Sequence, residues 1–226
     1  MRACKFGVIA LVALLCGAPL FAAVEAPPNK WEKAIAEFEK EDAKAMPAPG
    51  GVLFVGSSTI RLWKVKEAFP DLPVLNRGFG GSEYVDLNLF FDRIVAKYQP
   101  KVIVLYAGDN DIAMGKTAET VAAEYKTLLG KIDTALPECR VITVGIKPSV
   151  ARWNLYPAMK QVNEAMKQLA AEKPSRTFLD QEPLLFGADG KPDAGLLMKD
   201  GLHLNEAGYD KLTEAIRPLL TAALGG

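Results

Sequence analysis

The feature that most narrows the possible folds is an alternation along the chain. Short runs rich in Val, Ile and Leu recur, and each is followed by a longer stretch with apolar residues every three or four positions. Continuous short apolar runs suit strands buried on both faces, whereas the longer period belongs to amphipathic helices. Residues 52–55, 73–75, 101–107, 140–146 and 176–179 read as strands, and 84–98, 117–136 and 153–172 as helices. A last helix, 205–224, opens on Asn205 as its cap and repeats Leu212, Ile216 and Leu219 along one face. Strand and helix in repeated succession imply parallel strands, right-handed crossovers and cover on both faces. The expected class is α/β, a three-layer α/β/α flavodoxin-like fold with a parallel sheet of about five strands.

The residues before the first strand differ in kind. Arg2 and Lys5 precede an apolar run from Phe6 to Ala22, and small residues lead to the polar Glu25. That order of charged start, apolar centre and small-residue site is that of a secretory signal, and the run is short for a retained membrane anchor. Residues 1–22 are therefore expected to be a cleaved signal peptide, 23–50 an N-terminal helical extension and 51–226 the main domain. Within the extension, the stretch from Trp31 to about Ala45 carries Trp31, Ile35, Phe38 and Ala45 at helical spacing, which predicts an amphipathic helix packed on the main domain. The mature protein is expected to be secreted or periplasmic, with no stable membrane insertion after cleavage.

Charge adds an exclusion. The 27 basic residues balance 27 acidic ones. A chain without a basic excess is a poor partner for nucleic acid. Cys4 and Cys16 fall within the signal, which leaves Cys139 alone, read as a small buried hydrophobe rather than a reactive thiol. One histidine and one cysteine do not supply the usual metal ligand set, so no metal is expected.

In a parallel sheet of this kind the ligand site lies beyond the carboxyl ends of the strands. Four segments follow strands and carry polar chemistry. Gly56-Ser57-Ser58-Thr59 places hydroxyls at a helix start, where unpaired N–H groups stabilise negative charge, although Ser and Thr serve equally as helix caps there. Asn76 to Ser82 contains Gly78, Gly80 and Gly81, which expose backbone N–H groups but match neither common nucleotide-binding glycine pattern. Gly108-Asp109-Asn110-Asp111 offers an amide donor or an Asx turn. Asp200-Gly201-Leu202-His203 contains the only histidine, with a carboxylate three positions away, the pair that a serine relay requires.

Taken in order, these four segments resemble the four blocks of the SGNH (GDSL-like) hydrolase family, a likeness that spans the chain from about Val52 to the final helix. The resemblance implies Ser58 as nucleophile, His203 as general base and Asp200 orienting it. It also implies an oxyanion hole made of the Ser58 and Gly81 N–H groups and the Asn110 amide, and it requires no cofactor. One position departs: Ser57 stands where the family usually has aspartate, and Ser57 is thereby an adjacent rival to Ser58. The implied activity is a serine esterase acting on small acyl esters, acetyl first, of carbohydrates or other extracellular alcohols. An acyltransferase using the same triad and a non-catalytic glycan-binding module are the alternatives. The partner is then a small-molecule ester, and the oligomeric state is not legible. Arg77, Tyr106 and Trp153 are candidate substrate-binding residues, and Arg61, Trp63, Lys147 and Arg152 are further candidates for the mouth of the site.

Overall fold

The computed structural model describes residues 29–225 together with Met1. The expected signal, residues 1–22, lies outside the described residues apart from Met1, as do Cys4 and Cys16. In chain order the elements are α1 (Glu32–Lys44), β1 (Val52–Gly56), α2 (Ser58–Leu62), α3 (Val65–Ala68), β2 (Val74–Gly78), α4 (Tyr84–Leu89), α5 (Phe91–Ile94) and β3 (Val102–Tyr106). They continue with α6 (Asp109–Ala113), α7 (Ala118–Ala135), β4 (Arg140–Val144), α8 (Tyr156–Ala171), β5 (Arg176–Leu179), α9 (Glu182–Leu185) and α10 (Glu206–Gly225).

The five strands form one parallel sheet in the order β2-β1-β3-β4-β5. The three-layer α/β/α class read from the alternation is the class observed. Side chains leave a strand alternately to either face. Leu53, Val55, Ile103 and Leu105 accordingly join the core beneath α1, α4, α5, α7 and α8. Val52, Phe54, Val102, Val104 and Tyr106 join the core beneath α2, α3 and α10. The chain enters the sheet at β1, turns out to β2 on one edge and then returns past β1 to β3. The strand order reverses there, and the loops after β1 and β3 diverge to opposite layers and leave a crevice between them.

Two elements differ from the sequence reading. The helix expected over 84–98 is broken into α4, α5 and a single 3-10 turn, Ala96–Tyr98. Phe90, Phe91, Ile94 and Val95 are all buried. Adjacent residues on a continuous helix point about 100° apart, so burying both adjacent pairs on one face requires the chain to re-aim between them. The second strand runs on past Leu75 through Asn76, Arg77 and Gly78, which pair with Phe54, Val55 and Gly56. Its last residues are polar because their side chains bond inside the fold. Asn76 donates to the carbonyls of Ile60 and Trp63, at 2.7 and 3.1 Å, and Arg77 reaches α1.

The Arg77 guanidinium meets Asp42 at 2.5 Å and Glu41 at 3.1 Å, and Tyr98 donates to Asp42 at 2.6 Å. Lys97 completes the cluster at 2.5 Å from Asp42. Burial alone would raise the Asp42 carboxyl, but Lys97, Tyr98 and Arg77 together hold it below its ordinary value. Arg93 adds contacts of 2.7 Å to both Glu32 and Glu39. α1 is thus fixed at two places along its length, with Ile35 buried beneath it.

Candidate active site

The turn after β1 is set by its glycine. Gly56 has φ +146°, and a Cβ there would lie 1.9 Å from the Tyr106 carbonyl oxygen. Only glycine permits that approach. Ser57 N–H then donates to Tyr106 O at 3.0 Å, which ties the turn to the end of β3. The two serines that follow diverge. Ser57 is 0 % exposed and its hydroxyl has no hydrogen-bond partner among the described residues, whereas Ser58, 8 % exposed, opens α2 and faces a cleft.

Ser58 Oγ lies 2.9 Å from His203 Nε2, across 145 positions of sequence. His203 Nδ1 lies 2.6 Å from Asp200 Oδ2. The other carboxylate oxygen, Oδ1, accepts the Leu202 and His203 N–H groups at 2.9 and 3.0 Å. Hydrogen bonding to His203 first, and then to these two backbone groups, holds the Asp200 carboxyl well below the usual carboxylate range. It is ionised wherever the imidazole needs a counter-charge. The loop is presented by its own backbone: Met198 N–H donates to His203 O at 2.7 Å, and Gly201 turns at φ +63°. Ala151 N–H donates to Gly201 O at 3.0 Å and joins this loop to the one after β4.

Three groups that can donate to an oxyanion surround Ser58. The Ser58 and Gly81 backbone N–H groups have no acceptor among the described residues. Gly81 takes φ +81°, and a Cβ there would meet the Trp31 ring at 3.1 Å. Asn110 Nδ2 donates to Ser82 O at 3.0 Å, and its Oδ1 accepts both terminal nitrogens of Arg152 at 3.1 Å. Ser58, Gly81, Asn110 and His203 all line one cleft of about 660 Å³.

The remaining wall of that cleft comes from the N-terminal segment. Trp31, Ala34, Glu37 and Phe38 line it together with Arg61 and Leu202. Trp31 is fixed by its indole N–H, which donates to Asp86 at 2.9 Å, and by edge-on contact with Phe79. From sequence alone Trp31 and Phe38 read as packing residues, because a helical apolar stripe does not distinguish a core from a cleft wall.

Several residues expected at the mouth are elsewhere. Arg77 is 4 % exposed and bound to Asp42, Glu41 and Tyr98, away from the cleft. Tyr106 is 0 % exposed, and its hydroxyl accepts from Lys147 at 3.2 Å. Burial raises that phenol far above its ordinary range. Trp153 stacks on Tyr156 and meets Phe186 edge-on, lining a separate surface hollow. Trp63 is buried and donates to Thr213 at 3.2 Å. Arg77 and Tyr106 lie in strands, where parity sends a side chain to the cleft or into a layer, whereas Trp63 and Trp153 are drawn off by local packing; proximity in sequence conveys neither. Arg61 and Arg152 do line the cleft. Cys139 is a buried free thiol, pushed up to about 12 by burial. No helix among the described residues is long and apolar enough to cross a membrane.

Comparison with known proteins bears on the family and the fold. The model of the GDSL-like lipase/acylhydrolase family matches residues 61–211, beginning just after Ser58. The platelet-activating factor acetylhydrolase IB subunit alpha1 of Homo sapiens is 31% identical over 182 residues, 76% of each chain. A GDSL-like lipase from Bacteroides thetaiotaomicron superposes with a TM-score of 0.70 at 18% identity, over 84% of this chain and 98% of its own. A catalytic mutant of an acetylxylan esterase from Geobacillus stearothermophilus gives 0.62 at 16% identity, over 79% and 95%.

Proposed function

Because the chain belongs to the GDSL-like lipase/acylhydrolase family, we propose that it hydrolyses small acyl esters, acetyl first, through an acyl-enzyme on Ser58. Ser58 Oγ attacks the ester carbonyl carbon while its proton passes to His203 Nε2, and Asp200 steadies the imidazolium that results. Carbonyl electrons move onto oxygen, which the Ser58 and Gly81 N–H groups and the Asn110 amide receive. Collapse of this intermediate breaks the bond to the alcohol, and His203 returns the proton to the departing alkoxide. Water then repeats the cycle on the acyl-enzyme and releases the acid.

The observation that carries the reading is the 2.9 Å contact of Ser58 Oγ with His203 Nε2, continued by the 2.6 Å contact to Asp200. Both distances lie within the reach that proton transfer requires. Acetyl preference draws support from the acetylhydrolase and acetylxylan esterase names among the similar proteins. Apolar walls from Trp31, Phe38 and Leu202, with Arg61 and Glu37 beside them, suit an acyl methyl and a polar alcohol in one cleft. We place the reaction outside the cytoplasm, on the signal-like order of residues 1–22.

The test is labelling with a fluorophosphonate, together with hydrolysis of p-nitrophenyl acetate, butyrate and octanoate and of acetylated xylo-oligosaccharides. The expected result is one adduct, on Ser58, with acetate turned over fastest. An adduct elsewhere, or none on the folded protein, ends the proposal.

A further inference from the structure

Asn110 carries an amide whose two ends look alike in shape and are opposite in chemistry. With nitrogen towards the cleft it donates to a developing oxyanion, whereas with oxygen there it repels one. An unrestrained amide can turn over about its last torsion. Here each end has a neighbour that tolerates one orientation only. The Ser82 carbonyl can only accept, and it takes one hydrogen of Nδ2 at 3.0 Å. Arg152 can only donate, and both its terminal nitrogens hold Oδ1 at 3.1 Å. The second hydrogen of Nδ2 has no acceptor among the described residues, and Asn110 lines the cleft with Ser58.

Arg152 is itself anchored. Its Nη1 also meets Asp109 Oδ2 at 3.1 Å, and the same oxygen lies 3.5 Å from the buried Lys147 ammonium. Its loop, after β4, is joined to the His203 loop through the Ala151 to Gly201 bond. Residues 109 and 110, on the helix after β3, are thus gripped from the loop after β4.

We propose that Arg152 is a positioning residue for ester hydrolysis: it locks the Asn110 amide with its nitrogen towards the oxyanion and acts through that amide rather than on substrate. The proposal rests on the reading of Ser58 as nucleophile and of Asn110 as oxyanion donor. Because Lys147 remains beside Asp109, Arg152→Ala does not leave a buried carboxylate without a cation.

The experiment measures kcat and KM for p-nitrophenyl acetate in the wild type, R152A, R152K, N110A and the R152A/N110A double variant, with thermal unfolding of each. Losing a single oxyanion donor typically lowers turnover about a hundred- to a thousandfold. We expect N110A to fall in that range and R152A to lose about ten- to a hundredfold in kcat, with KM within about threefold. R152K, which keeps a cationic donor for one oxygen, recovers part of the loss, and the double variant is no slower than N110A alone. Losses that multiply in the double variant, or a raised KM at unchanged kcat, overturn the proposal, since Arg152 would then act independently of Asn110 or hold substrate. If R152A does not fold, R152K and the R152K/N110A double variant decide: wild-type kcat in R152K overturns the proposal, as does a further loss in the double variant relative to N110A, and a reduced kcat in R152K with no such further loss sustains it. Failure of the nucleophile reading is recognised separately, as absence of a Ser58 adduct in the wild type.

Discussion

At the scale of single residues, Ser57 and Ser58 are the sharpest contrast in the molecule. Their hydroxyls are chemically identical and adjacent in sequence, yet one faces His203 and the other is enclosed without a partner among the described residues. Ser58→Ala is expected to abolish hydrolysis of p-nitrophenyl acetate nearly completely, as is His203→Ala. Asp200→Ala is expected to cost less, because the imidazole keeps its contact with Ser58. Ser57→Ala is expected to retain most activity. An unsatisfied buried hydroxyl is a cost of about 1–3 kcal/mol that alanine removes, so this variant should unfold at the same or a higher temperature, which differential scanning calorimetry would show. That Ser58, His203 and Asp200 come together was legible because Ser58 directly follows a strand and the chain has one histidine, with a carboxylate three positions before it. Arg152 was visible only as a cation near the mouth. Its grip on Asn110 depends on two loops meeting, and no spacing in the sequence encodes that.

At the scale of elements, α1 is the least expected contributor. Its cluster on Asp42 is a buried ion pair, and removing one member of such a pair typically costs about 3–5 kcal/mol. The pH dependence follows from the direction of the Asp42 shift. A carboxyl held below its ordinary value of 3.8 in the fold contributes stability that is fully present above that value and is lost as pH falls through the folded one. The difference in melting temperature between the wild type and Asp42→Asn should therefore be constant above about pH 5 and shrink on further acidification. A difference that grows towards low pH would contradict this. The sequence showed α1 as an amphipathic helix to within a residue or so at either end, and its strand candidates all correspond to strands. It extended the 84–98 helix across two breaks, because periodicity sums over a window and does not register adjacent buried pairs. It also stopped the second strand short, since the polarity of Asn76 and Arg77 reads as loop until their partners are known.

At the scale of the whole molecule, the two cores share one sheet, and β3 at its centre feeds both. Ile103 faces one layer and Val104 the other, both fully buried. Ile103→Ala is expected to destabilise the protein by about 2–5 kcal/mol, read as a lower urea midpoint at unchanged slope. A changed slope would indicate that the layers unfold separately. The crevice that the reversed strand order opens is where Ser58, Gly81 and Asn110 converge, so the location of the candidate site was derivable from topology while the shape of the cleft was not. That shape depends on Trp31, Ala34, Glu37 and Phe38, which precede both the matched family segment and every group of the relay. On the proposed reaction, part of the wall that meets the ester is thereby written in a stretch of chain separate from Ser58, Asp200 and His203. A graft exchanging residues 29–46 for the equivalent stretch of a relative is expected to change the relative rates on acetate, butyrate and octanoate esters while a fluorophosphonate still labels Ser58.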